Sequence, residues 1–403
     1  MPGNPDSRQP QTTRFVDSWA SVLLDGLRGS AAILVLLGHW RDLFFLNYEK
    51  LPAHKLVFLV PYLISGAGHQ AVVVFFVMSG YFIGGSVLGS VRRARWSWSD
   101  YLLRRGVRLW VVLIPALIFC TGWDLLGIHL GHAPGLYNGV VHHALVPNIP
   151  ERLTPWVFLS NLFFLQTILA PAYGSDGALW SLANEFWYYM LFPLAFFALR
   201  KGAAFRERII CAILAVAVAT LIYGEILVYF FIWMGGVAIY LAPPPKLAPK
   251  AAARLRLLAT LIYFPIFFAI AKQTFVRIEV SDFTLGAFTT GYLWILLSAR
   301  QPFKPGPAAS IGRGAARFSY SLYALHFPFL IFATALMVGD SRWEPTLPHL
   351  LAAAVPLLLA AGYAYAVASG TEFQTDRIRV RLEHLFRLRP LPAARPSGPI
   401  APD

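Results

Sequence analysis

The feature that most constrains this chain is a series of long apolar stretches, at residues 24–46, 68–91, 107–127, 178–199, 209–223, 226–242, 257–271, 283–298, 318–338 and 349–369. A straight helix needs about 20 apolar residues to cross the hydrocarbon core of a bilayer, and these stretches cross it or nearly do. Of the 403 residues 57% are hydrophobic and only 13% charged, and mean hydropathy is +0.57. That excludes an ordinary soluble domain, in which about a quarter of the residues carry charge. The expected fold is an all-α integral membrane protein, a bundle of about ten transmembrane helices. A polar N-terminal segment (1–20) precedes the membrane domain (21–370), and a basic, Pro-rich tail (371–403) follows it. The 12 Trp, 17 Tyr and 31 Phe suit rings placed at the membrane interface or lining a bundle.

The formal charge of +14 is explained by topology. With the N-terminus cytoplasmic, 27 of the 34 Lys and Arg fall on inside segments and 7 outside, as the positive-inside rule requires. Both termini are then cytoplasmic, and no nucleic-acid partner is needed to account for the cations. Asp6, Arg8, Arg14 and Asp17 make the first 20 residues too polar for a signal-peptide core, so the first span should remain as an anchor. The apolar segment 156–171, after a loop with His129, His132, His142 and His143, breaks the alternation if it crosses. It is expected to be a re-entrant or interfacial piece on the outer side, which backbone tolerates where protein or a cavity surrounds it. Proline marks 241–250 and 301–307 as connecting loops and the end after Arg389 as disordered. Cys120 and Cys211 lie in apolar runs and read as buried hydrophobes, not a disulfide, and no metal-ligand spacing occurs. There is no internal repeat.

Ionisable groups inside a span cost about 2.5–3.5 kcal/mol on insertion scales, so each is a candidate functional group. In LDGLRGSAAILVLLGH, Arg28 and His39 are eleven residues apart, about 20° on a helix, with Asp25 about 40° away and His39 roughly 16 Å beyond Arg28. The three form one polar stripe, as the wall of a tunnel or cleft would; the competing reading of His39 is a packing hydrogen bond to a neighbouring helix. A second stripe, Ser181, Glu185, Tyr188 and Tyr189, runs along SLANEFWYY. Glu185 lies at a depth similar to that of His39, so the two could meet, the carboxylate orienting an imidazole that acts as general base; the competing reading of Glu185 is a structural pairing with an arginine or a hydroxyl. Arg104, Arg105 and Arg108 cluster at the expected cytoplasmic start of span three. They could grip phosphate as a fork or simply mark topology or lipid headgroups. Ser79, Gly80, Ser321, Tyr323 and His326 read first as close-packing positions, with lining a cavity as the alternative for His326, before Pro328.

The chain resembles a known family at LDGLRG with a His eleven residues past its Arg, at FFVMSGYFI, RRGVR, WSLANEFWYY and FSYSLYALHFP, in that order. It is similar to the membrane-bound acyltransferase-3 family, integral-membrane O-acyltransferases of cell-surface carbohydrates. The resemblance covers nearly the whole membrane domain. It implies transfer of an acyl group, expected to be acetyl, from acetyl-CoA on the cytoplasmic side to a carbohydrate or glycoside hydroxyl in the cytoplasmic (inner) membrane. By resemblance His39 is catalytic with Glu185 beside it, and Arg28, Arg105 and Arg108 hold the donor. Asp25, Ser181, Tyr188 and His326 are the expected substrate contacts. The second Glu of the family's motif is Phe186 here, so no role carries over to it. Some relatives add a soluble SGNH-type domain; about 34 residues follow the last span here, so transfer is expected to finish within the membrane domain. Expected partners are the acyl-CoA, the acceptor, membrane lipids and, as an option for assembly, a second copy in a homodimer; no metal is expected. The rival classes are a multi-span transporter or exporter of a glycan or small metabolite, and an acyl carrier or sensor that binds CoA without turnover.

Overall fold

The computed structural model describes residues 19–385 apart from 53–54, 142–143, 245–246, 273–276 and 299–306. The N-terminal segment before residue 19, most of the 301–307 loop, His142, His143 and the tail beyond 385 therefore lie outside the described residues. Apart from two isolated bridges, Phe45 with Trp343 and Gln166 with Ala170, secondary structure among the described residues is helical. The helices are α1 (Trp19–Phe44), α2 (Lys55–Ser65), α3 (Gly68–Arg92), α4 (Trp98–Leu130), α5 (Pro134–Asn138), α6 (Ile149–Arg152), α7 (Pro155–Leu162), α8 (Trp180–Leu199), α9 (Phe205–Leu221), α10 (Glu225–Leu241), α11 (Pro249–Lys272), α12 (Ile278–Leu296), α13 (Pro307–Arg317), α14 (Ser319–Met337), α15 (Leu347–Gly370) and α16 (Thr375–Leu385).

Seven stretches among the described residues are helical, long and apolar enough to cross a membrane: 20–44, 55–92, 98–130, 177–199, 249–272, 319–337 and 347–385. The other three expected spans are also helical, as α9, α10 and α12. Two of them have 17 residues each, and α12 carries Asp282 in its first half.

Three local features differ from the sequence pattern. Span three starts earlier than its apolar core suggests. Ser97 caps α4 by accepting from the Asp100 amide, so the 33-residue helix draws Arg104, Arg105 and Arg108 inside itself rather than leaving them at its mouth. A short apolar helix, α2, precedes α3 and joins it through a break at Gly66–Ala67. The segment 156–171 does not form one long helix. α7 has 8 residues, too few to cross at 1.5 Å each, and the chain then folds back through Phe164 and Thr167, both at positive φ. The indole N–H groups of Trp110 and Trp187 donate to the freed carbonyls of Leu162 and Phe164 at 2.8 Å, satisfying backbone that a helix would otherwise have paired.

α14 is the central helix. His326 and Ser321 on it are 0% exposed, and it packs on α1, α4 and α15. The helices meet closely where side chains are smallest, as membrane bundles require when lipid offers no hydrophobic drive. A Cβ on Gly236 of α10 would lie 1.9 Å from the Val77 carbonyl of α3, and one on Gly80 would lie 1.9 Å from the Trp233 carbonyl. Similarly, a Cβ on Gly38 of α1 would be 3.6 Å from the Gly68 Cα of α3. His39 and His69 each follow one of these two glycines, and both line one cavity of the bundle.

Candidate functional site

Two polar constellations lie along the α1–α14 contact, one around His39 and one around Arg28. At the first, His39 and His326 are joined by a 2.8 Å hydrogen bond between Nδ1 of His39 and Nε2 of His326. The direction of that bond follows from the next one. His326 Nδ1 lies 2.8 Å from the Leu322 carbonyl oxygen, which can only accept, so Nδ1 of His326 carries its proton. A neutral His326 then offers Nε2 as acceptor, and His39 donates from Nδ1. The lone pair of His39 is left on Nε2. Phe327 stacks on the His39 ring at 4.3 Å and fixes its plane.

His39 borders a cavity of about 350 Å³ that also touches Asp42, His69, Trp180, Tyr323 and Phe327. On the facing wall His69 Nε2 is 2.7 Å from the Asp282 carboxylate. Asp282 is 1% exposed and also accepts from the Tyr229 hydroxyl, so its burial is compensated by two partners. Trp180 lies parallel to the His69 ring.

The second constellation gathers charges from α1, α4, α8 and the turn after α15. Asp25 and Arg28 form an ion pair of 3.3 Å. Arg105 donates to Ser86 Oγ at 2.9 Å and sits over the rings of Tyr101 and Tyr189 at 5.6 and 5.8 Å. Arg108 is exposed although Tyr189, Glu185, Glu372 and Tyr320 surround it. It makes no hydrogen bond or ion pair of its own among the described residues, so it is a cation with its donors open to solvent inside the fold. Arg28 lies within electrostatic range of both Arg108 and Glu372. Glu372 in turn accepts from the Ser321 amide and hydroxyl at 2.9 and 2.8 Å, tying the start of the tail to α14. Arg104 turns away and pairs with Asp100 at 2.8 Å.

The expected site residues are thus brought together in part. His39 and His326 meet directly, and Arg28, Arg105 and Arg108 converge. The expected meeting of Glu185 with His39 does not occur. Glu185 accepts from Ser79 at 3.2 Å and from Tyr189, on the arginine side. Tyr188 is also displaced from the expectation: it is 0% exposed, and its hydroxyl donates to the Ile226 carbonyl of α10 at 2.6 Å. Ser181 lies between the two constellations, 2.6 Å from the hydroxyl of the cavity residue Tyr323, which donates to the Ala178 carbonyl at 2.9 Å. Asp25 serves Arg28. Sequence reasoning missed His69, Asp282 and Glu372; the repeated Gly-His pair at 38–39 and 68–69 and an acid inside α12 were the available signals. Among the described residues no group of three or more His, Cys, Asp or Glu side chains is placed to hold a metal ion.

The helical bundle carrying these two constellations also matches a known family in sequence. Residues 22–366 match the family model for the acyltransferase-3 group, described as an acyltransferase domain, and the chain belongs to that family. It is also similar to an O-acetyl transferase of Shigella phage Sf6, 30% identical over 152 residues, which is 36% of this chain and 40% of the relative. The chain therefore aligns with well under half of that relative's length. No solved structure matches it.

Proposed function

We propose that this protein transfers an acetyl group from cytoplasmic acetyl-CoA to a hydroxyl of a cell-surface or exported carbohydrate, as a ten-span enzyme of the cytoplasmic membrane with both termini inside. The observation that carries this reading is the Leu322–His326–His39 relay, which leaves His39 Nε2 as the open lone pair on the cavity. A general base needs such a nitrogen within reach of the proton it takes. In this reading the CoA phosphates meet Arg108 and Arg28, with Arg105 holding the α4 face in place, since guanidinium groups suit phosphate oxygens. The thioester then extends along the α1 stripe past Ser181 and Tyr323 to His39. His39 Nε2 takes the acceptor hydroxyl proton as the oxygen attacks the thioester carbonyl carbon, and the C–S bond breaks to release CoA. The family membership and the phage O-acetyl transferase support the reaction type.

The purified protein is to be incubated with labelled acetyl-CoA and a panel of glycans and glycosides. His39→Ala is expected to lower transfer about 10²- to 10⁴-fold, the range of a positioned acid–base group. Transfer by the variant at the wild-type rate would remove His39 from the chemistry, and absence of label transfer with the wild type would remove the reaction.

A further inference from the structure

The two imidazoles of the cavity are wired differently. His39 is backed by another neutral imidazole, and nothing in that relay stabilises a resident positive charge. His69 is backed by the Asp282 carboxylate at 2.7 Å, with Tyr229 hydrogen-bonded to the same carboxylate and Asp282 itself buried. A carboxylate at this distance holds an imidazole N–H in a fixed orientation. The two rings therefore offer the cavity different chemistry, a bare nitrogen at His39 and a carboxylate-held ring at His69. Resting on the acetyl-transfer reading, we propose that His69 is the acid partner of His39: its Nδ1–H donates to the thioester carbonyl oxygen as the tetrahedral intermediate forms.

The geometry fits that division of labour. In the proposed step His69 acts as an imidazolium, with Nε2–H donating to Asp282 and Nδ1–H as its second donor, and the ring borders the same cavity as His39. The Gly38–Gly68 approach brings the two backbones together one residue before each histidine, so a thioester between them would meet a base and a donor. As the acceptor oxygen bonds to the carbonyl carbon, the π electrons move to the carbonyl oxygen, where His69 stabilises them. The hydroxyl proton rests on His39, and collapse returns the electrons, breaks the C–S bond and expels the CoA thiolate, which takes that proton. Asp282 does not touch the substrate; it is the positioning residue for His69.

The test follows CoA release from acetyl-CoA, with water and a panel of methyl glycosides as acceptors, by purified full-length protein. His69→Ala is expected to lower kcat on the order of 10²-fold, the usual cost of an oxyanion donor, with KM for acetyl-CoA little changed. His69→Asn places an amide N–H near the Nδ1 position and should recover part of the loss. His69→Gln reaches Asp282 without supplying that donor and should recover none. Asp282→Asn should lower kcat at constant KM, with Asp282→Glu partly restoring it. Unaltered acetyl-CoA binding by calorimetry establishes that each variant is folded. A folded His69→Ala with wild-type kcat, or Gln rescuing as well as Asn, overturns the role of His69 while leaving acetyl transfer standing. A wild type that releases no CoA overturns both.

Discussion

At the residue scale, the arginine cluster separates two tasks that look alike in sequence. Arg105 and Arg108 occupy adjacent turns, yet Arg105 spends its guanidinium on Ser86 and two tyrosine rings, while Arg108 stays open to solvent. Arg108→Gln is therefore expected to raise KM for acetyl-CoA by roughly tenfold, about 1.4 kcal/mol of lost phosphate contact, with kcat and melting temperature little altered. Arg105→Gln should lower the melting temperature as well, because it unties α3 from α4. Steady-state kinetics beside thermal unfolding in detergent would distinguish them; equal kinetic and thermal effects at both positions would show that the division is wrong. The α1 stripe was legible because Asp25, Arg28 and His39 share one helix and its period fixes their relative direction. The partner of His39 was not. Pairing between helices depends on rotation and depth, so Glu185, equal in depth by counting, faces Tyr189 and Ser79, and the partner comes from α14 instead.

At the element scale, length and hydropathy revealed the helices better than their ends. The start of α4 depended on Ser97 as a cap, a polar signal outside the apolar stretch, and α13 and α16 are too polar or too short to stand out. Segment 156–171, set apart in the sequence by the charge alternation, holds only the 8-residue α7 and is not among the helices long enough to cross. Its folded-back path relies on the indoles of Trp110 and Trp187, which are distant in sequence. The α3–α10 crossing offers a direct test of the packing. Ala at position 236 would place its Cβ 1.9 Å from the Val77 carbonyl, and neither backbone can yield without parting the helices. Gly236→Ala is expected to destabilise by about 1–3 kcal/mol, as overpacking does. Because Trp233 donates to Ser79 and Ser79 to Glu185, acetyl transfer should fall with it. Gly202→Ala, in an exposed loop with open space around its Cβ, should change neither. Comparable melting temperatures for the 236 variant and the wild type would mean that the helices are less tightly seated.

At the scale of the whole molecule, the proposed reaction makes one demand on the two constellations: the arginines face the acetyl-CoA side, and the histidine cavity is reached by the acceptor from the other. Composition pointed to a membrane bundle, since 13% charge is about half that of a soluble domain, but sidedness is a separate physical question. The chain supplies a convenient background for answering it, because both Cys120 and Cys211 are buried and should resist a membrane-impermeant maleimide. Single cysteines at Gly131, Trp156 and Gly202, all exposed, report the turn after α4, the α7 segment and the loop after α8. In intact cells Gly131→Cys and Trp156→Cys should be labelled, and Gly202→Cys should react only after the membrane is opened. Labelling of Trp156→Cys together with Gly202→Cys, and not with Gly131→Cys, would require segment 156–171 to lie on the arginine side. The donor and acceptor would then have to enter by routes opposite to those of the proposed reaction.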